Sequence, residues 1–246
     1  MKIKEKAQAA KREACLICGD SLAYSFYAEP VVCRLCGLQQ ESAIVCHQGH
    51  YVCNSCHGQE YYDFMAGFAL AQTSQDPMAI TENLLKEGSL PEMGAEHHAI
   101  PAAALLTALR NYGELVLPGE QKKRRIGDDD IREGIRRTRQ IVPCACTYFG
   151  ACGAALAVGV VFSIIFQANG MSDNERSRAL RASHAALGNI ANAGGEACCK
   201  QSVRSSVLVG SQLLKEMLQV YLPLSRSKCF YQTRNGSCKG SACSFC

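Results

Sequence analysis

The chain has 246 residues, 16 of which are cysteines, and a formal net charge of +4 at pH 7. This length allows one or two domains with a sizeable hydrophobic core. The positive surplus lies in a basic stretch at residues 1–12, and the rest of the chain is balanced. A nucleic-acid partner is therefore not expected, and the cysteine content makes thiol chemistry the leading hypothesis.

The first residues, MKIKEKAQAAKREACL, lack the apolar segment of a secretory signal. A chain that is not exported keeps its thiols reduced, and clustered cysteines then bind metal more often than they form disulfides. The common phosphate-binding, dinucleotide-binding and serine-nucleophile motifs are also missing from the sequence. We therefore expect a cytoplasmic protein that uses its cysteines as metal ligands.

Four pairs of metal-ligand residues occupy residues 15–58. They are Cys15 and Cys18, Cys33 and Cys36, Cys46 and His50, and Cys53 and Cys56. Eight ligands are enough for two closed tetrahedral zinc sites, and such sites leave no open position for catalysis. His47 and His57 are alternatives to His50. The segment is too short to form a core of its own, so the predicted role of the zinc ions is structural.

The assignment of these pairs to ions has two solutions. Sequential pairing, which we favour, joins the first pair to the second and the third pair to the fourth, as in a double zinc ribbon. A cross-brace, as in RING-like modules, joins the first pair to the third and the second to the fourth. The stretch GHYVCNSC is similar to the H-x2-C-x2-C core of those modules. In either arrangement the module could dock a protein partner.

Residues 59–222 show apolar residues spaced three or four apart, which predicts an all-helical domain. Asp76 and Pro77 are a typical start of a helix, Ser172 and Glu175 form a capping-box pattern, and Gly194 with Gly195 ends the helix between them. The predicted fold is mainly α. It has a basic tail (1–14), a double zinc-ribbon module (15–58), the all-helical domain, and a cysteine-rich metal-binding segment (223–246).

The stretch from Thr147 to Phe166 contains no charged residue. It is long enough to cross a bilayer, but its glycines favour the central helix of a bundle over a membrane span. Cys146 and Cys152 stand at the predicted start of this helix, and Cys198 and Cys199 stand at another helix start. Helix amino termini stabilise thiolates, so the two helix starts could share one metal site.

The segment 223–246 supplies a further group of thiols, Cys229, Cys238, Cys243 and Cys246. The last three have the C-x4-C-x2-C spacing that also occurs among iron–sulfur ligands, with Cys229 available as a fourth. The surrounding glycine, serine and lysine residues indicate a loop wrapped around an ion. An iron–sulfur cluster is the favoured interpretation, and a third zinc ion is the alternative.

Several motifs, CTYFGACGAA, EHHAIPAAALLTALRN, GGEACCK and the C-x8-C-x4-C tail, resemble an uncharacterised cysteine-rich domain family of anaerobic bacteria and archaea. The resemblance implies that motif positions are occupied by Cys146, Cys152, Cys198, Cys199, Lys200, Cys229, Cys238 and Cys243. Cys144 and Cys246 match the pattern less closely. The GACG stretch before a small-residue helix is also similar to helical iron–sulfur dehydratases and desulfidases. An anaerobic setting would favour a [4Fe–4S] cluster.

A [4Fe–4S] cluster held by three cysteines leaves one iron open to bind and activate a leaving group. Cys146, Cys152 and one of Cys198 or Cys199 would hold it, with Cys152 at the reacting centre and His98 or Lys200 moving the proton. The expected function is an iron–sulfur lyase or sulfurtransferase that acts on a small molecule or a sulfur donor. The alternative is a non-enzymatic zinc and iron–sulfur protein that serves in partner docking, assembly or sulfur transport.

Overall fold

The computed structural model describes residues 14–86, 90–91, 93–119, 122–232 and 238–246. The basic tail predicted for residues 1–14 lies outside the described residues except for Ala14. The chain forms two compact units that meet in sequence after Gln59. The smaller unit contains the predicted metal module, and the larger one contains the predicted helical domain and the cysteine-rich segment.

The smaller unit is built on an antiparallel hairpin of β1 (Leu22–Val32) and β2 (Gln39–Cys46). Leu22 pairs with Cys46 at one end of this hairpin, and Val32 pairs with Gln39 at the other. The register shifts between Tyr24 and Glu29, so residues 25–28 bulge out of the ladder. Because β1 is flanked by the two first C-x2-C turns, the hairpin places these turns at its opposite ends.

The larger unit is mainly helical, as the sequence predicts. Its α-helices are α1 (Gln59–Ala71), α2 (Pro77–Leu85), α3 (Ile100–Tyr112), α4 (Asp128–Arg139), α5 (Ala145–Tyr148), α6 (Gly153–Ile165), α7 (Asn174–Ala193) and α8 (Cys199–Leu218). A 3-10 turn, Ala95–His98, precedes α3, and another covers Gly240–Ala242. The all-helical prediction is wrong in one place, where β3 (Glu114–Val116) and β4 (Lys123–Arg125) form a small antiparallel sheet.

The core of this unit forms around α6, which packs against α3, α4, α7 and α8. Its apolar side chains are buried nearly all round, as are those of α3. Gly159 allows a close approach of α7, because a Cβ there would lie 2.0 Å from the hydroxyl of Ser183. In the described part of the chain, no helix is long and apolar enough to span a membrane. The interpretation of 147–166 as a buried helix agrees with this packing for α6 itself, whereas residues 147–150 are exposed.

The start of the central helix differs from the prediction. The chain forms the single turn α5, breaks, and begins α6 only at Gly153. Gly150 lies in the break with a φ of +64°, a left-handed conformation that favours glycine. Cys152 is consequently the N-cap of α6, whereas Cys146 lies on the separate turn.

The predicted helix ends are confirmed in two of three cases. The carboxylate of Asp76 accepts hydrogen bonds from the backbone N–H groups of Met78 and Ala79 at the start of α2. Gly194 ends α7 with a positive φ. The capping box at Ser172 is wrong, because the Ser172 hydroxyl accepts the N–H of Asn169 instead and α7 begins without a side-chain cap.

Candidate metal centres

The smaller unit brings its eight predicted ligands into two compact groups. The first group contains Cys15, Cys18, Cys46 and His50, and the second contains Cys33, Cys36, Cys53 and Cys56. Within each group the ligand atoms lie within 4.8 Å of one another. Both groups could bind a metal ion.

Distances within the groups match a single tetrahedral ion. The Sγ atoms of Cys18 and Cys46 are 3.5 Å apart, and those of Cys36 and Cys53 are 3.6 Å apart. A Zn–S bond of about 2.3 Å in tetrahedral geometry places two sulfurs about 3.8 Å apart. His50 presents Nδ1 to the first group, 3.3 Å from the Cys18 sulfur.

The favoured sequential pairing is wrong, because the groups form a cross-brace. The turn at Cys15 precedes β1 and the turn at Cys33 follows it, so the paired length of the strand, on the order of 20 Å, separates them. β2 returns to the first turn and ends there at Cys46. The chain then crosses to the second turn, where Tyr51 forms a β-bridge with Cys33.

Backbone N–H groups prepare one thiol in each group for metal binding. Burial raises the pKa of Cys33, but N–H donors from Cys53, Cys36 and Leu35 outweigh it and lower the pKa to about 6. Cys15 shows the same balance, with a pKa of about 7. Such N–H···S contacts stabilise the thiolate form that binds metal. Gly19 and Gly37, both at positive φ, allow the turns that direct these N–H groups inward.

In the larger unit, the thiols of Cys146, Cys152, Cys198 and Cys199 share one neighbourhood. Cys152 and Cys198 are the N-caps of α6 and α8, two helices that pack together. Desolvation raises the pKa of Cys199 to about 12, and the negative charges of the other three cysteines contribute to the increase. The structure therefore brings the predicted helix starts together. Their role in binding a cluster stays a prediction.

His98 lies directly against the start of α6. A Cβ at Gly153 would be 2.3 Å from Cγ of His98, so the glycine provides the space for the imidazole ring. The ring is 9% exposed, and desolvation lowers its pKa. The backbone of Ile141 is hydrogen-bonded to one ring nitrogen, whereas Nδ1 makes no hydrogen bond within the described part of the chain. A neutral imidazole with an available nitrogen can accept a proton.

Lys200 and Arg204 form a buried basic row on α8, one turn apart. Nζ of Lys200 donates to the carbonyl of Pro91 at 3.3 Å and lies 4.6 Å from the centre of the Tyr231 ring. Arg204 is fully buried and forms a bidentate ion pair with Glu82. Sequence reasoning missed Arg204. The buried residues of α8 also include Lys200, Ser205 and Ser206, so no apolar pattern on this helix could have indicated it.

Four cysteines of the last segment line a cavity together with Cys198. These four are Cys229, Cys238, Cys243 and Cys246. The four cysteines predicted to act together at residues 223–246 therefore line one cavity. Cys198, which the sequence assigned to the helix-start group with Cys146 and Cys152, lines the same cavity. Among the described residues, only the two groups of the smaller unit bring three or more potential ligand atoms within 4.8 Å. No three thiols in the described part of the larger unit meet this limit, although the sulfurs of Cys238 and Cys246 lie 3.7 Å apart.

Comparison with known proteins gives one match. A family model described as a family of unknown function (DUF5714) matches residues 65–246. No curated protein and no solved structure matches the chain. The match does not include the module at 15–58. The uncharacterised family inferred from the motifs is confirmed in the larger unit, and the chain belongs to this family of unknown function.

Proposed function

We propose that the protein is a metal-binding protein with zinc in its smaller unit and an iron–sulfur cluster in its larger unit. The proposed cluster ligands are Cys146, Cys152 and Cys199. The observation that carries the proposal is the meeting of Cys152 and Cys199 at the starts of the packed helices α6 and α8, with Cys146 nearby on α5 and the buried imidazole of His98 beside the start of α6. These three thiols do not all lie within 4.8 Å of one another, which is compatible with a cluster that has one thiolate per iron.

The residues around this group suit a lyase or sulfurtransferase. A cluster held by three cysteines would supply an open iron that polarises a hydroxyl, thiol or sulfide leaving group. His98 would accept the substrate proton at Nδ1, since desolvation keeps the ring neutral. Lys200, buried and positively charged, would favour an anionic substrate or leaving group. The substrate class that fits is a small molecule that loses water or hydrogen sulfide, or a sulfur donor.

Metal and sulfide analysis after anaerobic purification tests this proposal. We expect iron and acid-labile sulfide in the wild-type chain, and Cys152→Ala should remove both while the zinc content of the smaller unit is unchanged. Cys144→Ala is the matched control, because Cys144 lies in the same loop but outside the proposed ligand set. A colourless wild-type protein with zinc and no sulfide would contradict the cluster and the enzymatic function built on it.

A second candidate function is supported by the surface of the smaller unit. Phe26 and Tyr27, in the bulge of β1, are 85% and 77% exposed, and Leu16 and Leu35 in the two C-x2-C turns are also exposed. Such exposed apolar side chains on a metal-stabilised unit are typical of a partner-docking surface. In this function the protein would be an assembly or sulfur-carrier factor, and turnover of a small molecule by the isolated chain would contradict it.

A further inference from the structure

The cavity between the start of α8 and the last segment is lined mainly by thiols. Its walls include Cys198, Arg204, Cys229, Cys238, Cys243 and Cys246. These residues come from three separate stretches of the sequence. Five thiols around one cavity are more than we expect of cysteines that only fill the core. Soft thiolate ligands select thiophilic metals.

Two of these sulfurs already have the spacing of ligands on one ion. The Sγ atoms of Cys238 and Cys246 are 3.7 Å apart, close to the 3.5 and 3.6 Å found within the two groups of the smaller unit. The N–H of Gly240 donates to the Cys238 sulfur at 3.4 Å, and Gly240 has a positive φ. Cys15, with the N–H of Ile17 at 3.4 Å, forms the same kind of contact in the smaller unit.

This spacing does not suit a [4Fe–4S] cluster. Each cysteine of such a cluster binds a different iron, which places the sulfurs roughly 6 Å apart or more. Two sulfurs at 3.7 Å are instead placed to bind the same metal atom. The iron–sulfur interpretation favoured by the sequence for this segment therefore gives way to a single ion.

Two basic residues, Arg204 and Lys239, also line this cavity. Nη1 of Arg204 lies 3.7 Å from the sulfur of Cys229. This buried guanidinium also interacts electrostatically with Cys198. The ammonium of Lys239 donates to the carbonyls of Ala193 and Gly194, which fixes the last segment to the end of α7. A positive charge buried beside the thiols offsets part of the negative charge of a thiolate site.

We propose that Cys198, Cys238, Cys243 and Cys246 bind a single thiophilic divalent metal ion, such as zinc. Of the four, Cys238 and Cys246 stand at ligand spacing. Cys198 and Cys243 line the same cavity and would close onto the ion when it binds. Cys198 is the ligand that comes from the helix, at the positive end of the α8 dipole. Cys229, hydrogen-bonded to Arg204, lies beside the ion and is not a ligand. This third single-ion site is independent of the iron–sulfur cluster proposed above.

The test uses the full chain, freed of metal under reducing anaerobic conditions and titrated with Co²⁺, which gives strong thiolate charge-transfer bands. We expect Cys198→Ser to bind one equivalent less than the wild type. Cys246→Ser and the double variant Cys198→Ser/Cys246→Ser should also bind one equivalent less, because both residues serve the same ion. Since each result is a difference from the wild type, sites elsewhere in the chain do not affect it.

The matched control is Cys229→Ser, which should retain the full number of equivalents. Circular dichroism on each variant checks that α-helix content is unchanged. Full binding by Cys198→Ser, a loss in Cys229→Ser, or a greater loss in the double variant would overturn the proposal. A disulfide between Cys238 and Cys246 in the wild-type chain isolated under anaerobic conditions would overturn it as well.

Discussion

The guanidinium of Arg204 binds both carboxylate oxygens of Glu82, with Nε 2.6 Å from Oε1 and Nη2 2.9 Å from Oε2. The pair joins α8 to α2, and Ser227 hydrogen-bonds to both partners. Arg204 is 1% exposed at its side chain and Glu82 is 15% exposed. An ion pair this buried is costly to break, because the remaining charge stays without solvent.

We expect Glu82→Gln to lower the free energy of unfolding of the larger unit by about 3 to 5 kcal/mol. Urea denaturation followed by circular dichroism measures this change. The control is Glu133→Gln, which removes exposed ion pairs with Arg136 and Arg137 and should cost less than about 1 kcal/mol. Equal effects of the two substitutions would show that the buried pair has no special role in stability.

The cross-brace predicts which double substitutions remove one ion and which remove two. Cys18 and Cys46 belong to the same group, so Cys18→Ser/Cys46→Ser should lose one equivalent of zinc. Cys18 and Cys36 belong to different groups, so Cys18→Ser/Cys36→Ser should lose two. Sequential pairing predicts the opposite result for each double variant. Zinc analysis of the purified chains, with the single variants as references, decides between the arrangements.

Gly153→Ala should destabilise the larger unit by about 1 to 3 kcal/mol, since the new methyl group overlaps the His98 ring. Gly188 is the matched control, because it lies within α7 and a Cβ there meets no atom within 4 Å. Gly188→Ala should be neutral or stabilise the protein by up to about 1 kcal/mol. Thermal unfolding of both variants provides the comparison, and a stable Gly153→Ala variant would show that His98 moves freely.

Stability should decrease below neutral pH because of His97. Its ring is completely buried, and desolvation together with the charge of Lys200 lowers its pKa well below the ordinary value. The unfolded chain binds a proton at this histidine below pH of about 6.5, whereas the folded chain does not. Unfolding therefore takes up a proton, and stability falls by up to about 1.4 kcal/mol per pH unit as the pH decreases from 6.5.

Denaturation of His97→Asn at several pH values measures this contribution. Asparagine can retain a contact to the Gly94 carbonyl, which lies 3.2 Å from Nδ1 of His97. Between pH 5 and 6.5, unfolding of the variant should take up about one proton fewer than unfolding of the wild type, so the stability of the variant should depend less on pH. The exposed His184 provides the control, His184→Asn, whose slope should equal that of the wild type. Equal slopes for His97→Asn and the wild type would contradict the prediction.

Local sequence patterns predicted most of the helices, because apolar spacing and end residues such as Asp76 act within a few residues. The ligand residues of the smaller unit were also predictable from their C-x2-C spacing. The pairing was not, since it depends on how β1 and β2 fold back and therefore on a long-range register. The same limit applies to Cys198, which lines the cavity of the last segment although many residues separate it from Cys238 in the sequence.

The contact between Gly153 and His98 has a consequence for variation within the family. Gly153 is not required by its backbone conformation, since its φ is not among the positive values. The imidazole ring of His98 supplies the three atoms nearest to a Cβ at this position and so opposes a side chain there. The two positions should therefore change together among relatives. A relative with alanine at the position of Gly153 should carry a smaller residue in place of His98, and the double variant His98→Ala/Gly153→Ala should be more stable than Gly153→Ala alone.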